Sequence, residues 1–317
     1  MSAFLLHGTT LALAWFLVCN AAVTAAVALL SILLGQRQRS AAPGRWLALR
    51  LAPAALSIAF VAIVFLPSYW RFEPREGVEG FDLTLTTLAV LALAVIGSGI
   101  ARGVAAWRSA AWRTEQWMQA SHPLALDEAA MPAFAVDADA PVMALVGVLR
   151  PRLLITRPVL EALTGEELHA GVAHELGHWR AWDNLKRLVM RAAPDMWFAT
   201  AAARSLERRW AAASEHAADR SAGGSERERC ALASALVKVA RLTPPAAPID
   251  GPISALIDGG DITARVQRLL DDSPSDRGRR PSRWLTIAIA APALALAYAP
   301  LLRFVHGITE VLVNSLP

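Results

Sequence analysis

Charged residues are missing from four long stretches of this 317-residue chain. Each stretch lacks Asp, Glu, Lys and Arg and has at least 19 residues, enough for a helix to cross a hydrocarbon core of about 30 Å. Hydrophobic residues make up 55% of the whole sequence, which is above the usual range of soluble proteins. The uncharged stretches are residues 1–36, 51–70, 83–101 and 284–302. The sequence therefore predicts a polytopic membrane protein.

The first stretch also lacks the features of a cleaved signal peptide. No positive charge precedes it, and its apolar run is longer than the hydrophobic region of a typical signal peptide. We therefore predict a membrane region over residues 1–101, with retained helices at about 5–34, 51–70 and 83–101. A fourth transmembrane helix is predicted at residues 284–302.

Arginine is unevenly distributed among the segments that flank these helices. Loop 36–50 carries four Arg and no acidic residue, whereas loop 71–82 carries two Arg and four acidic residues. Lys and Arg favour the cytosolic side of a membrane. We therefore predict that the N terminus lies outside, that residues 102–283 form a cytosolic domain, and that the short tail 303–317 lies outside. The expected location is a bacterial inner membrane.

Cysteine is scarce, and so is an excess of positive charge in the predicted cytosolic domain. Cys19 and Cys230 would lie in different compartments, and neither has the spacing of a metal site, so we expect no disulfide. Residues 102–283 contain 24 basic and 22 acidic residues, which is not typical of a nucleic-acid-binding domain. We expect no nucleic-acid partner. The arginines beside the membrane helices would instead attract anionic lipids of the bilayer.

The most informative motif is His174-Glu175-Leu176-Gly177-His178. On a helix, the two histidines lie one above the other on the same face, where they can bind one zinc ion. Glu175 can then act as the base toward the water that zinc activates. Thr164 and Glu167 form a capping box, which predicts that the helix begins there and runs to about Asp183. The pattern predicts one catalytic zinc per chain; an ordinary amphipathic helix is the alternative.

A catalytic zinc needs a third protein ligand. Glu215 and Asp219 lie one turn apart in another predicted helix: Glu215 could complete the ligand set, and Asp219 could orient a ligand imidazole. His216 is the alternative third ligand, but it points about 100° away from Glu215 around the helix. Asp183 could also orient a ligand, or it could simply end the helix of the zinc motif.

Short strands are predicted upstream of the motif, at residues 132–137, 142–149 and 152–156. Arg150-Pro151 forms a turn between the last two, and Pro158 begins a short helix. Downstream, the many Pro, Gly and Asp residues of segment 243–260 predict a flexible loop.

One of these strands is a candidate for substrate binding. Metalloproteases commonly hold an extended peptide beside an exposed strand. A purely structural hairpin is the alternative. The candidate residues are Val142, Met143, Ala144, Leu145, Val146, Gly147 and Val148.

Tyrosine is scarce as well, which limits the groups that could stabilise an oxyanion. Tyr69 and Tyr298 lie at or within predicted membrane helices. An Arg or a His would have to act instead. Arg265 and Arg220 are the candidates, and structural ion pairing is the alternative role for either.

The combined pattern resembles the BlaR/MecR-type bacterial membrane metallopeptidases. The resemblance runs from about residue 5 to 305 and is most specific in four segments. These are Gly147-Val148-Leu149-Arg150-Pro151-Arg152, the zinc motif with Asp183-Asn184, Glu215-His216-Ala217-Ala218-Asp219, and Arg265-Val266-Gln267-Arg268-Leu269-Leu270. The resemblance implies a gluzincin-like site with His174, His178 and Glu215 as zinc ligands and Glu175 as the base. It also implies regulated cleavage of a cytosolic protein, such as a transcriptional repressor, or self-cleavage.

The chain departs from the best-known members of that family after the fourth predicted helix. Those members carry a penicillin-binding sensor domain there, whereas about 15 residues follow in this chain. Antibiotic sensing is therefore not expected. A signal would arrive through a separate sensor, another partner membrane protein or the bilayer.

The expected fold is mainly α: four transmembrane helices with a cytosolic α+β zincin-like metalloprotease domain, built from a small β-hairpin or sheet and the zinc-motif helix. The expected function is that of a membrane zinc metalloendopeptidase that cleaves a protein substrate on the cytosolic side. Two alternatives stay open at this point. One is a quality-control or processing protease resembling the HtpX or prenyl-protein-protease type. The other is a non-catalytic membrane signalling scaffold that retains zinc.

Overall fold

The protein is described by a computed structural model. Its described residues are 2–33, 42–75, 82–126, 131–196, 200–242, 254–256, 262–271 and 283–315. Within them the chain is mainly helical and contains one small mixed sheet. Two parts of the predicted loops lie outside the described residues: positions 36–41 of loop 36–50 and positions 76–81 of loop 71–82.

Three helices of the described residues are long and apolar enough to cross a membrane, at Ala3–Ile32, Pro43–Phe72 and Leu83–Gln119. They correspond to α1 (Ser2–Leu33), to the continuous run of α2 (Pro43–Phe60), a π-helical turn (Val61–Phe65) and α3 (Leu66–Phe72), and to α4 (Leu83–Gln119). Their mean hydropathy is 2.1 to 2.2, which indicates association with a lipid bilayer.

Helix α4 is much longer than the predicted span at residues 83–101. Its 37 residues extend over about 55 Å at 1.5 Å per residue, well beyond a hydrocarbon core of about 30 Å. The Asp82 side chain accepts hydrogen bonds from the backbone N–H groups of Thr84 and Leu85 and thereby caps its first turn. The second half of α4 carries Arg residues and continues without a break to the sheet.

The fourth predicted span falls on the last helix, α11 (Arg283–Asn314), which also includes most of the predicted tail. The Ser68 hydroxyl donates to the Leu302 carbonyl over 2.7 Å, and the Tyr298 hydroxyl donates to the Ile63 carbonyl over 2.6 Å. These bonds attach α11 to α3 and to the π-helical turn before it. That α11 crosses the membrane stays a prediction.

The sheet has five strands in the order β1-β2-β4-β3-β5. The predicted strands are confirmed as β2 (Ala133–Val136), β3 (Met143–Val146) and β4 (Arg152–Thr156). The sheet is mixed because β2 runs parallel to β4, whereas the other pairs are antiparallel. The sequence did not predict β1 (Ser121–Leu124) or β5 (Ser254–Ala255). The second of these lies within segment 243–260, of which only residues 254–256 belong to the described part.

A tight turn joins β3 to β4 at the predicted position. Gly147 has a φ of +87°, a conformation that residues with a Cβ rarely adopt. A Cβ at this position would also lie 2.8 Å from the Arg150 carbonyl oxygen. The turn therefore requires glycine.

The core of the domain lies between this sheet and the helices that follow it. Helices α5 (Arg157–Ala162) and α6 (Gly165–Ala181) come first, and α7 (Asp183–Ala192), α8 (Ala201–Ala222), α9 (Glu226–Leu242) and α10 (Ile262–Leu270) complete the set. Apolar side chains of β3, β4, α6 and α9 form one buried cluster, which includes Met143, Leu153, Val172, Leu232 and Leu236. Helix α6, which carries the zinc motif, is therefore enclosed by the sheet, α8 and α9.

The domain is joined to the membrane helices at the end of α7. The Arg50 guanidinium of α2 lies 2.6 Å from the Asp195 carboxylate and 2.9 Å from that of Glu207, and it is almost completely buried. On α4, a Cβ at Gly99 would lie 2.8 Å from the Ala192 carbonyl oxygen. This close approach fixes the end of α7 against α4.

Candidate metal centre

Helix α6 begins with the predicted capping box. The Thr164 hydroxyl accepts from the Glu167 backbone N–H, and the Glu167 carboxylate accepts from the Thr164 N–H over 2.7 Å. Ser234 and Lys238 of α9 donate to the same carboxylate over 2.6 and 2.7 Å. Burial alone would raise the pKa of Glu167, but these hydrogen bonds outweigh it and lower that pKa to about 2. The first turn of α6 is thus anchored to α9 by a charged contact.

The three chemically important side chains of the motif lie together in the interior. His174, Glu175 and His178 are all completely buried. The Nε2 atoms of the two imidazoles are 3.2 Å apart, and the rings meet edge to face. The spacing of i and i+4 on α6 therefore directs both imidazoles at one point, as the motif predicts.

Glu215 of α8 meets the two histidines at that point. Its carboxylate oxygens lie 3.5 Å from His174 Nε2 and 3.4 Å from His178 Nε2. Zinc with four ligands at about 2.0–2.1 Å requires donor atoms that are about 3.3 Å apart. The donor separations of 3.2, 3.4 and 3.5 Å fit this requirement. Among the described residues, these three form a buried group that could hold a metal ion.

His216, the alternative third ligand, is not part of this group. It lies beside Glu215 on α8 but is only partly buried. Burial and the positive charges of Arg268 and Arg220 lower the pKa of His216. The structure therefore favours Glu215 over His216.

Two carboxylates lie behind the imidazoles. Asp183 Oδ2 is 2.8 Å from His178 Nδ1, and Asp219 Oδ1 is 3.0 Å from His174 Nδ1. Each therefore accepts the Nδ1–H of its histidine, which leaves the Nε2 lone pair available to a metal. The Ser214 hydroxyl donates to Asp183 and holds it in place.

A change of backbone direction brings Asp183 to this position. Helix α6 ends at Ala181, slightly earlier than predicted, because Trp182 adopts a left-handed conformation with φ of 57°. Asp183 is then the first residue of α7, and its side chain points back toward His178. The sequence left two roles open for Asp183, ending the helix or orienting a ligand. The structure places Asp183 after the end of α6 and in contact with His178, and its orienting of a metal ligand stays a prediction.

Arg265 of α10 lies beside the cluster and is almost completely buried. Its guanidinium nitrogens are 2.6 Å from Asp219 Oδ1 and 3.1 Å from Glu215 Oε2. The same side chain donates to the Leu256 carbonyl over 2.8 Å and comes within 3.4 Å of His174 Nε2. Arg220, the other predicted candidate, is exposed at the end of α8. Of the two arginines, the structure brings only Arg265 to the site.

The site concentrates acidic groups. Four carboxyl groups, those of Glu175, Asp183, Glu215 and Asp219, lie beside two cationic side chains, Arg265 and Lys186. Either a divalent metal ion or protonation of the two imidazoles would balance the surplus of negative charge. Burial disfavours protonation of His178, but its hydrogen bonds to Asp183 and Glu215 outweigh this effect and raise its pKa to about 10. Conversely, the two histidines hold the pKa of Glu215 well below its usual range, although burial opposes them.

Glu175 has no hydrogen-bond partner for either of its oxygens within the described part of the chain. The Glu215 oxygens also lack a hydrogen bond, but they lie 3.1 to 3.5 Å from Arg265 and the two histidines. Burial therefore raises the pKa of Glu175, and the charge of Glu215 adds to this effect. A buried carboxyl without a partner, next to three potential metal ligands, is suited to exchange protons with a water molecule.

The predicted substrate strand is not an open edge. Strand β3 pairs with β4 on one side and with β5 on the other, where Ala144 and Leu145 face Ala255 and Ser254. The expectation that an extended peptide finds β3 unpaired is therefore wrong at these two residues. The reason is that a distant segment, which has no strand pattern of its own, already occupies that edge.

Two contacts near the site were not predicted. The Asn184 amide donates to the carbonyls of Leu145 and Gly147 over 2.9 and 3.0 Å, which ties α7 to β3. The buried side chain of Leu256 follows β5 and lies near Gly171 of α6. Asn184 stood out in the sequence only through the family resemblance, and nothing local marked Leu256.

Comparison with known proteins gives one family. Residues 108–243 match the model of peptidase family M48, whose members are zinc metallopeptidases. The matched segment contains the zinc motif together with Glu215 and Asp219 of α8. No curated protein matches the chain significantly. The match supports a zinc metallopeptidase of the M48 family, and it does not confirm the BlaR/MecR type.

Proposed function

We propose that this protein is a membrane zinc metalloendopeptidase in which His174, His178 and Glu215 hold one zinc ion and Glu175 is the catalytic base. One observation carries the proposal. Three donor atoms converge at separations of 3.2 to 3.5 Å, and an unpaired buried carboxyl lies beside them. A structural zinc site would be closed by a fourth protein ligand, whereas a catalytic site keeps one position open.

The residues around the ion have distinct roles. Zinc, when bound, supplies Lewis acidity, which lowers the pKa of water and polarises a carbonyl oxygen. Glu175 accepts a proton from the attacking water and passes it to the leaving amine, a transfer that its raised pKa favours. Asp183 and Asp219 keep the Nδ1 atoms of the histidines protonated and fix the orientation of the rings.

Arg265 acts mainly on the carboxylates. Its contacts with Asp219 and Glu215 hold α10 against α8 and keep both acidic side chains in place. The guanidinium also brings a positive charge within 3.4 Å of His174 Nε2, at the side of the ligand set. Stabilisation of an oxyanion is therefore a secondary role that we assign to Arg265 and not to Arg220.

The closed state of the site supports regulated cleavage. Glu175 and both histidines have no exposed surface, so a peptide reaches them only after the covering segments have moved. Strand β5 covers the edge of β3, and the Leu256 carbonyl after it is held by Arg265. We therefore propose that a substrate peptide adds to the sheet on this side, either beside β5 or in its place. An extended peptide bound in this way can continue past the site at both ends, as an endopeptidase requires.

The charge distribution supports a cytosolic site. The domain attaches to the arginine-rich ends of the membrane helices, through Arg50 of α2 and Arg102 of α4. Arg102 donates to the Ala193 carbonyl over 2.9 Å. Because arginine-rich ends favour the cytosol, the proposed substrate is a cytosolic protein or a cytosolic segment of a membrane protein.

Substrate trapping tests this function. A Glu175→Gln variant should bind zinc and retain substrate without cleaving it, so proteins that it captures in cells can be identified by mass spectrometry. Glu166→Gln, an exposed position on the same helix, is the matched control and should capture nothing beyond background. One discrete cytosolic protein, also cleaved by the wild type, would support regulatory proteolysis. Many misfolded proteins would support the quality-control alternative.

A further inference from the structure

A second group of metal-binding side chains lies far from the zinc motif. Glu73, His306 and Glu310 each offer one donor atom, and these atoms lie within 4.8 Å of one another. Glu73 directly follows α3, whereas His306 and Glu310 lie on α11. The group therefore joins two helices that are distant in sequence.

The geometry of the group is that of a partly preformed site. His306 and Glu310 are separated by four residues, so both side chains lie on one face of α11. His306 Nδ1 is 3.8 Å from Glu73 Oε2. The imidazole stacks on the ring of Phe72 at 5.6 Å, which restricts its orientation. Glu73 and His306 are only 12% and 24% exposed, so the site is shielded but still accessible.

The group lies at the opposite end of the membrane helices from the catalytic domain. Arg50 contacts the domain, and Glu73 lies 23 residues further along the continuous helical run of α2 and α3. At 1.5 Å per residue this separation is about 35 Å, roughly the thickness of a bilayer. The two metal-binding groups therefore cannot share an ion.

We propose that Glu73, His306 and Glu310 form a second site, which binds a divalent transition-metal ion such as Zn²⁺. One imidazole and two carboxylates are regular zinc ligands, and water would complete the coordination. Zinc requires donor atoms that are about 3.3 Å apart, whereas these donor atoms are 3.8 Å and up to 4.8 Å apart, so the side chains must close by roughly 0.5 to 1.5 Å. A simple ion pair between His306 and Glu73 does not require Glu310.

The consequence of binding would be a cross-link between α3 and α11. These helices already contact each other through Ser68 and Leu302. Helix α11 follows α10, which carries Arg265 of the catalytic site. Metal at this end would restrain a helix that is directly connected in sequence to the catalytic domain, and it would bind from the solution on the other side of the membrane.

Metal analysis of the full-length protein in lipid nanodiscs tests the second site. The protein is stripped of metal, equilibrated with Zn²⁺ and passed over a desalting column before its zinc is counted. We expect two zinc ions per chain in the wild type and one in Glu310→Gln or His306→Ala. Arg303→Gln, an exposed change one turn before His306, is the matched control and should keep two. His174→Ala should also lose one ion, and the double variant His174→Ala with Glu310→Gln should lose both.

The outcomes separate this proposal from the catalytic one. One zinc in the wild type that only His174→Ala removes would overturn the second site and leave the proposed function intact. Two ions that Glu310→Gln and His306→Ala both leave in place would also overturn it. Because Glu310→Gln changes a partly exposed carboxyl to a nearly isosteric amide, a folded variant is expected, and its remaining zinc ion verifies that the domain is intact.

Discussion

The Nδ1 atom of His178, the second histidine of the zinc motif, lies 2.8 Å from the carboxylate of Asp183, the first residue of the next helix. This contact depends on the left-handed conformation of Trp182 between the two helices. The junction of α6 and α7 therefore sets the orientation of the His178 imidazole, a proposed metal ligand. The other end of α7 is held by Arg50 and Gly99 of the membrane helices, so this short helix connects the membrane region to the metal centre.

Asp183→Asn should weaken zinc binding without unfolding the domain. The amide cannot hold the Nδ1–H of His178 as a carboxylate does, and loss of such a partner typically reduces metal affinity about 10- to 100-fold. Competition with a chromogenic chelator measures the affinity. Asp139→Asn, an exposed change in a loop, is the matched control and should leave the affinity unchanged. Equal affinities in all three proteins would contradict the role of Asp183.

Glu215→Ala should lose the catalytic zinc, whereas His216→Ala should keep it. Of these two residues, Glu215 has its carboxylate within 3.5 Å of both imidazoles. The same comparison applies on α6, where His174→Ala and His178→Ala should lose zinc and the exposed His169→Ala should keep it. Zinc counts on the purified variants decide the matter. Loss in His216→Ala together with retention in Glu215→Ala would reverse the assignment of the third ligand.

Glu167→Gln should lower stability at neutral pH but much less in acid. The pKa of Glu167 falls from an ordinary value of 4.5 to about 2 in the folded protein, so its ionised form stabilises the fold above about pH 4.5. This contribution is lost as the pH falls toward 2. The expected cost at pH 7 is about 2 kcal/mol, less than the full shift would give, because Lys238 is partly exposed to solvent.

Unfolding of the wild type and of Glu167→Gln in detergent micelles, followed by circular dichroism between pH 7 and pH 3, measures this effect. The difference between the two proteins should shrink steadily as the pH is lowered. Glu166→Gln is the control, since its ion pair with Arg227 is exposed and should contribute little. A difference that stays constant with pH would show that charge on Glu167 is not the source of its stabilising effect.

Reporter fusions should place the catalytic domain in the cytosol. A phosphatase that is active only outside the cytosol should work when fused at about residue 76 or 317 and fail at about residue 225. The reason is that the arginines of loop 36–50 and of residues 102–113 favour the cytosolic side. A cytosolic reporter at the same three positions is the control and should give the inverse pattern. Phosphatase activity at 225 alone would reverse both the topology and the compartment of the substrate.

The sequence predicted those parts of the fold and site that depend on local patterns. The capping box needs only Thr164 and Glu167, three residues apart, and the two histidines share a face through helical spacing alone. The length of the uncharged stretches was likewise enough to identify the three apolar helices. The continuation of α4 beyond residue 101 was not predicted, because an arginine ends a membrane span but does not end a helix.

The remaining parts depend on contacts between distant segments. Strand β5 has only two residues and is a strand only because β3 pairs with it, more than 100 residues earlier in the chain. Arg265 contacts His174, which lies 91 residues earlier in the chain. The sequence does not reveal this contact, so Arg265 and Arg220 were equal candidates for stabilising an oxyanion. The closure of the site and the left-handed Trp182 are tertiary features of this kind, and no local motif encodes them.

The most direct test of the central claim compares zinc content and peptide hydrolysis in the wild type and in Glu175→Gln. Gln is nearly isosteric with Glu but cannot accept a proton from the attacking water, and it is not a metal ligand in this geometry. The purified variant should therefore bind as much zinc as the wild type and cleave a captured substrate at least about 100-fold more slowly. Glu166→Gln should match the wild type in both measurements. Substantial hydrolysis by the zinc-loaded Glu175→Gln variant would contradict the assignment of Glu175 as the base, and with it the proposed mechanism.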